Sequence, residues 1–208
     1  MLTWAALVVA LLAVTVGIRW ALSRVDTLGR SRPFPVVSVA VLALGAVALA
    51  TPGVLRVRLE HRLEAVTTAL AGVPTTVHCQ SFGQSMVDAG NELGFVRWGA
   101  NGTPEHATLI KRDQCNDLNA YLRSDHRNPS EQQVIAVHVL THEAMHMSGL
   151  TAESAAECAA VHQDARTAQL LGATPDEARA LAERYWRTVY PRLTEEYRSA
   201  DCSGPTVQ

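Results

Sequence analysis

The chain has 208 residues, 48% of them hydrophobic and only 18% charged, with 18 Lys and Arg against 20 Asp and Glu and a formal net charge of −2. That near balance leaves no basic stripe for a nucleic-acid backbone, so nucleic acid is not expected as a partner. Lys111 is the single lysine, a bias we read as genome composition and not as function.

Two apolar runs open the chain, residues 2–22 and 34–52, each long enough to cross a bilayer core as a helix. Between them, residues 23–33 carry Arg24, Arg30 and Arg32 against Asp26. The positive-inside bias places this loop in the cytoplasm, so the N-terminus and everything after residue 55 are expected on the outer side. A cleaved signal peptide is the competing reading of the first run. It lacks a basic segment ahead of the apolar stretch and a small-x-small site before Arg24, so a retained hairpin of two transmembrane helices over 1–55 is preferred, with the lipid bilayer as a partner. Thr51-Pro52-Gly53 is expected to break the second helix near the membrane surface.

Residues 56–208 suffice for one domain with its own core. Leu55 to Ala71 reads as an amphipathic helix and residues 73–80 as a strand. Phe95–Gly99 and Ala107–Lys111 read as strands joined through the turn cluster Ala100-Asn101-Gly102-Thr103-Pro104, a hairpin signal. Asp113 to Ser124 reads as a helix. Ser130, with Gln133 at the capping-box position and Glu131 in the first turn, opens another, whose apolar residues Val134, Val137, Leu140, Ala144 and Met145 recur at helical spacing until Gly149. Thr151 is a candidate cap for a helix to about Leu171, and Thr174-Pro175-Asp176-Glu177 starts a last one reaching about Tyr190. The fold class expected is α+β, mainly helical with a short antiparallel sheet.

The helix opened by Ser130 carries His142-Glu143-Ala144-Met145-His146. His142 and His146 are one turn apart, so both imidazoles project from one face at a separation that a single Zn²⁺ bridges. Glu143 falls beside the metal, where it can take a proton from a water that the metal polarises. A catalytic zinc usually has a third protein ligand. Glu153 and Glu157, four apart on the next helix, can each reach back across the turn at Gly149.

This arrangement resembles the gluzincin group of zincin metallopeptidases, in which a glutamate on the following helix completes the site and a second acidic residue orients a histidine. The resemblance implies Glu153 as third ligand and Glu157 as the orienting acid, or the two roles exchanged. The short spacing from His146 to Glu153 departs from most gluzincins. Gly149 stands where the metzincin pattern has its glycine, but Ala152 replaces that pattern's third histidine. The layout is also similar to uncharacterised bacterial membrane proteins with a short zincin-like domain. The zincin resemblance implies an edge strand holding the substrate by β-augmentation, for which Phe95–Gly99 is nominated.

His138, one turn before His142, reads as a packing residue or a support of the site, and His162 as able to contact it. His61, His78, His106 and His126 lack ligand spacing and are expected to be exposed. Tyr185, Tyr190 and Tyr197 are open candidates for an oxyanion donor, with packing the simpler role. Cys79, Cys115, Cys158 and Cys202 all follow the second apolar run, and an even number in an exported domain implies two disulfides. Of three possible pairings, Cys79 with Cys115 and Cys158 with Cys202 is favoured. The function expected is a membrane-anchored zinc metallopeptidase cleaving a peptide or protein substrate outside the membrane, in an oligomeric state the sequence leaves open. The alternative is a non-catalytic interaction module with a structural metal or none.

Overall fold

A computed structural model of the chain describes residues 2–25, 29–87, 90, 92–99 and 102–205; Asp26 of the basic loop and Ala100 and Asn101 of the turn cluster lie outside them. The chain divides between Arg58 and Leu59 into two compact units.

The first unit contains α1 (Leu2–Leu22) and the start of α2 (Val36–Ala71). Both are long and apolar enough to cross a membrane. Between them, the Trp20 indole N–H donates to the Arg32 carbonyl at 3.1 Å and its ring meets Phe34 edge-on. The break expected at Thr51-Pro52-Gly53 does not occur, because α2 continues through Pro52 to Ala71. Proline removes one backbone donor, and Thr51 Oγ1 donates to the Val47 carbonyl at 2.7 Å.

The second unit is α+β. Its sheet has the order β1-β3-β2, formed by β1 (Thr76–Cys79), β2 (Gly94–Trp98) and β3 (Pro104–Ile110). β2 and β3 form the expected antiparallel hairpin, but β1 pairs with β3 in parallel, so the sheet is mixed and not antiparallel. The cause is the crossover through residues 80–93, which includes the short helix α3 (Phe82–Ser85) and returns the chain to the far side of β3. β2 is left as an edge strand.

Helices α4 (Arg112–Leu122), α5 (Glu131–Met147), α6 (Glu153–Leu170) and α7 (Pro175–Thr188) follow. Ser130 and Thr174 cap α5 and α7, each in a complete capping box. Thr151 does not cap α6; Ala152 holds that position, and Glu153 begins the helix. The third turn of α5 onward is buried on nearly every side, as expected of a central helix. Its Val134, Val137 and Leu140 join Leu63 and Val66 of α2, Val77, Ile110, Leu118 and Leu181 in one core, each large side chain contributing about 1.5–3 kcal/mol by burial. Disulfides Cys79–Cys115 and Cys158–Cys202 tie β1 to α4 and α6 to the C-terminal tail.

Candidate metal centre

His142 and His146 share the α5 face that also carries Ile135 and Val139, at positions separated by whole turns. The left-handed residue Gly149 (φ 111°) ends the helix and turns the chain back so that α6 brings Glu153 to that face. His142 Nε2 and His146 Nε2 lie 2.9 Å apart, and Glu153 Oε2 is 3.1 and 3.3 Å from them. These three atoms form a triangle open to a cavity of about 800 Å³. Bonds of 2.0–2.1 Å in a tetrahedral zinc site imply ligand atoms roughly 3.3–3.4 Å apart, so the donor set fits a small divalent cation with little movement.

Both rings are oriented from behind. His146 Nδ1 lies 2.7 Å from the Leu150 carbonyl and His142 Nδ1 lies 3.1 Å from Glu157 Oε2. Donation of Nδ1–H to these oxygens leaves each Nε2 with its lone pair directed at the triangle. Burial lowers the His142 pKa, but hydrogen bonds to Glu153 and Glu157 outweigh it and hold it up at about 9. Glu153 is held below the ordinary carboxylate range by its hydrogen bond to His142, against the opposing effect of burial.

Glu157 belongs to a buried network behind the triangle. Its Oε2 also meets His138 Nε2 at 2.9 Å and its Oε1 accepts from the Tyr185 hydroxyl at 2.7 Å. His138 Nδ1 meets Asp164 Oδ2 at 2.9 Å, and the His138 ring stacks on Tyr185 at 3.6 Å. Burial lowers the His138 pKa, yet Asp164 and Glu157 reverse that and raise it to about 10. Burial pushes Glu157 up, but the same imidazole and its other hydrogen bonds bring it well below the ordinary range. Asp164 and the Tyr185–Glu157 bond were not foreseen from sequence. Asp164 lies seven residues, or two turns, beyond Glu157 on α6, a spacing that could have marked it.

Glu143 is 4% exposed, lines the cavity and is not among the groups whose donor atoms converge. Its Oε2 lies 3.2 Å from Thr108 Oγ1, which is also 3.0 Å from the Phe95 carbonyl. The threonine can donate to the carboxylate, or donate to Phe95 and accept from a protonated Glu143. Burial raises the Glu143 pKa to about 7, with His142 and Thr108 opposing. Thr108 and Gly94, which packs on Glu143, were also missed, because the sequence does not reveal which strand lies under α5.

The other candidates separate cleanly. His162 contacts the site at no point described; it lies against the Cys158–Cys202 disulfide, with Nε2 3.1 Å from the Ser203 carbonyl. His61, His78 and His106 are exposed, whereas His126 is half-buried against Tyr121. Tyr190 bonds the backbone of Ser199. Tyr197 lines the cavity with its ring 6.0 Å from His142, and its hydroxyl has no hydrogen-bond partner among the described residues. No protein-family model matches the chain, and neither a curated protein nor a solved structure is similar to it.

Proposed function

We propose that this chain is a membrane-anchored zinc metallopeptidase of gluzincin type, with its catalytic unit outside the membrane. The observation that carries the reading is the division of labour on α5 and α6. His142, His146 and Glu153 converge their donor atoms, while Glu143 enters the same cavity without joining them. Two imidazoles and one carboxylate suit zinc, and a cavity at the open side gives a substrate access to it.

Zinc, when bound by these residues, supplies Lewis-acid polarisation of a carbonyl and of water. Glu143, poised by burial near neutral pH, accepts the proton of the attacking water and returns it to the leaving amine nitrogen. Thr108 keeps the carboxyl in place in either protonation state. Glu157 holds His142 in the tautomer that ligation needs, and His138 and Tyr185 hold Glu157. Tyr197 is the tail tyrosine whose hydroxyl has no hydrogen-bond partner among the described residues; burial raises its pKa, so it remains a donor for the oxyanion. The substrate backbone pairs with the open edge of β2, whose Gly94, Phe95, Val96 and Trp98 line the cavity.

The test is Glu143→Gln in the full-length protein. Peptide hydrolysis is lost while one zinc per chain is retained, measured by metal analysis and a quenched-peptide assay. Undiminished hydrolysis in that variant overturns the mechanism. A zinc-loaded wild type that cleaves no peptide favours the structural-metal alternative.

A further inference from the structure

The cleft carries carboxylates that this chemistry does not use. Glu92, just ahead of β2, and Glu196, in the tail after α7, line the cavity together with Glu143, Glu153 and Glu157, and among the described residues no lysine or arginine lines it. Glu153 and Glu157 are engaged with histidines. Glu92 and Glu196 are exposed, and neither has an ion-pair partner among the described residues.

One further observation marks this as more than a solvated acidic surface. Glu143, buried within the same cavity, has one oxygen, Oε1, with no hydrogen-bond partner among the described residues. Glu92 and Glu196 line the same cavity as His142, His146 and Glu153, so both acids border the space that a bound peptide would occupy. Five glutamates line the cleft, and a divalent cation held by the triangle offsets two of their charges. A concave surface of one sign focuses its field and discriminates ligands by charge.

We infer that the cleft selects peptides bearing a cationic group beside the scissile bond, a lysine or arginine side chain or a free amino terminus, with Glu92 and Glu196 as the specificity-determining acids. The inference rests on the peptidase reading for cleavage but not for binding. An acidic residue at the same place meets like charge and is rejected, which is discrimination by repulsion as well as attraction.

The test uses full-length protein in detergent, loaded with zinc, and matched peptides with Lys, Gln or Glu at one position, each with an acetylated or a free amino terminus. Binding is read by fluorescence anisotropy in the Glu143→Gln background, where no peptide is consumed, and cleavage in the wild type. Lys peptides are expected to bind at least about tenfold more tightly than Glu peptides at low ionic strength. The gap narrows with salt, collapses in Glu92→Gln/Glu196→Gln and reverses in Glu92→Lys/Glu196→Lys. A preference that follows the free terminus and not the lysine assigns the amino group as the cationic element. Equal binding of Lys and Glu peptides, a preference untouched by the double variants, or no binding of any peptide overturns the inference. Selective binding without cleavage in the wild type sinks the peptidase reading and leaves the inference standing.

Discussion

Gly94 lies so close to Glu143 that a β-carbon on it would fall 2.9 Å from Oε1 and 3.1 Å from Cγ and Cδ of the glutamate. No left-handed backbone explains this glycine; its role is steric, at the start of β2. Gly94→Ala must therefore displace Glu143 while leaving the donor triangle, which lies on α5 and α6, in place. Hydrolysis is expected to fall by at least about tenfold, the scale on which a misplaced catalytic group acts, with zinc stoichiometry unchanged. Full activity in Gly94→Ala would show that Glu143 has room to move without consequence.

Glu153 and Glu157 differ in what they touch, and their variants separate their roles. Glu153→Ala removes a donor atom from the triangle and is expected to cause the larger loss of zinc affinity. Glu157→Gln retains the volume but weakens the support of His142, and changes of that kind typically cost about 10–100-fold in affinity. Competitive zinc titration against a chromophoric chelator measures both. A larger loss in Glu157→Gln would exchange the two assignments.

The metal-free protein should carry an alkaline stability loss that originates in its histidines. Folded pKa values of about 10 for His138 and about 9 for His142 stand above the ordinary value of 6.5. Such groups stabilise the fold fully below pH 6.5, and the contribution is lost as pH rises through about 9 to 10. Glu157 is shifted down, so its contribution is present above its ordinary 4.5 and is lost as pH falls below it. Urea denaturation with chelator present, repeated across pH, should give a maximum between about 4.5 and 6.5 from this network. His138→Gln should flatten the alkaline limb, and an unchanged limb would show that His138 is not charged in the folded state.

Topology is accessible to chemical labelling, because all four cysteines are in disulfides. A thiol introduced by Ser31→Cys, in the arginine-bearing connection between α1 and α2, is expected to be protected from a membrane-impermeant maleimide in intact cells. A thiol introduced by Ser199→Cys in the tail is expected to react. The opposite pattern would place the second unit in the cytoplasm.

Much of this molecule was legible locally. The Ser130 capping box, the one-turn spacing of His142 and His146, the stop at Gly149 and the two apolar spans are properties of short stretches, where helical periodicity and backbone sterics act on near neighbours. The even cysteine count implied two disulfides, and both observed pairs coincide with the favoured pairing. Pro52 misled because a proline inside a helix removes one backbone donor without having to end it, and α2 runs through it to Ala71.

What only the tertiary structure decided is which distant residues meet. The sequence by itself determined that α5 presents two imidazoles and a glutamate. It did not determine that β1 runs parallel to β3, that Thr108 and Gly94 grip Glu143, or that Asp164, His138, Glu157 and Tyr185 form one buried network behind His142. Spacing along a helix is fixed by its 1.5 Å rise and 3.6-residue turn, whereas distances between elements follow from how their apolar faces pack. A polar side chain carried into that packing is stable only when it finds its partners there.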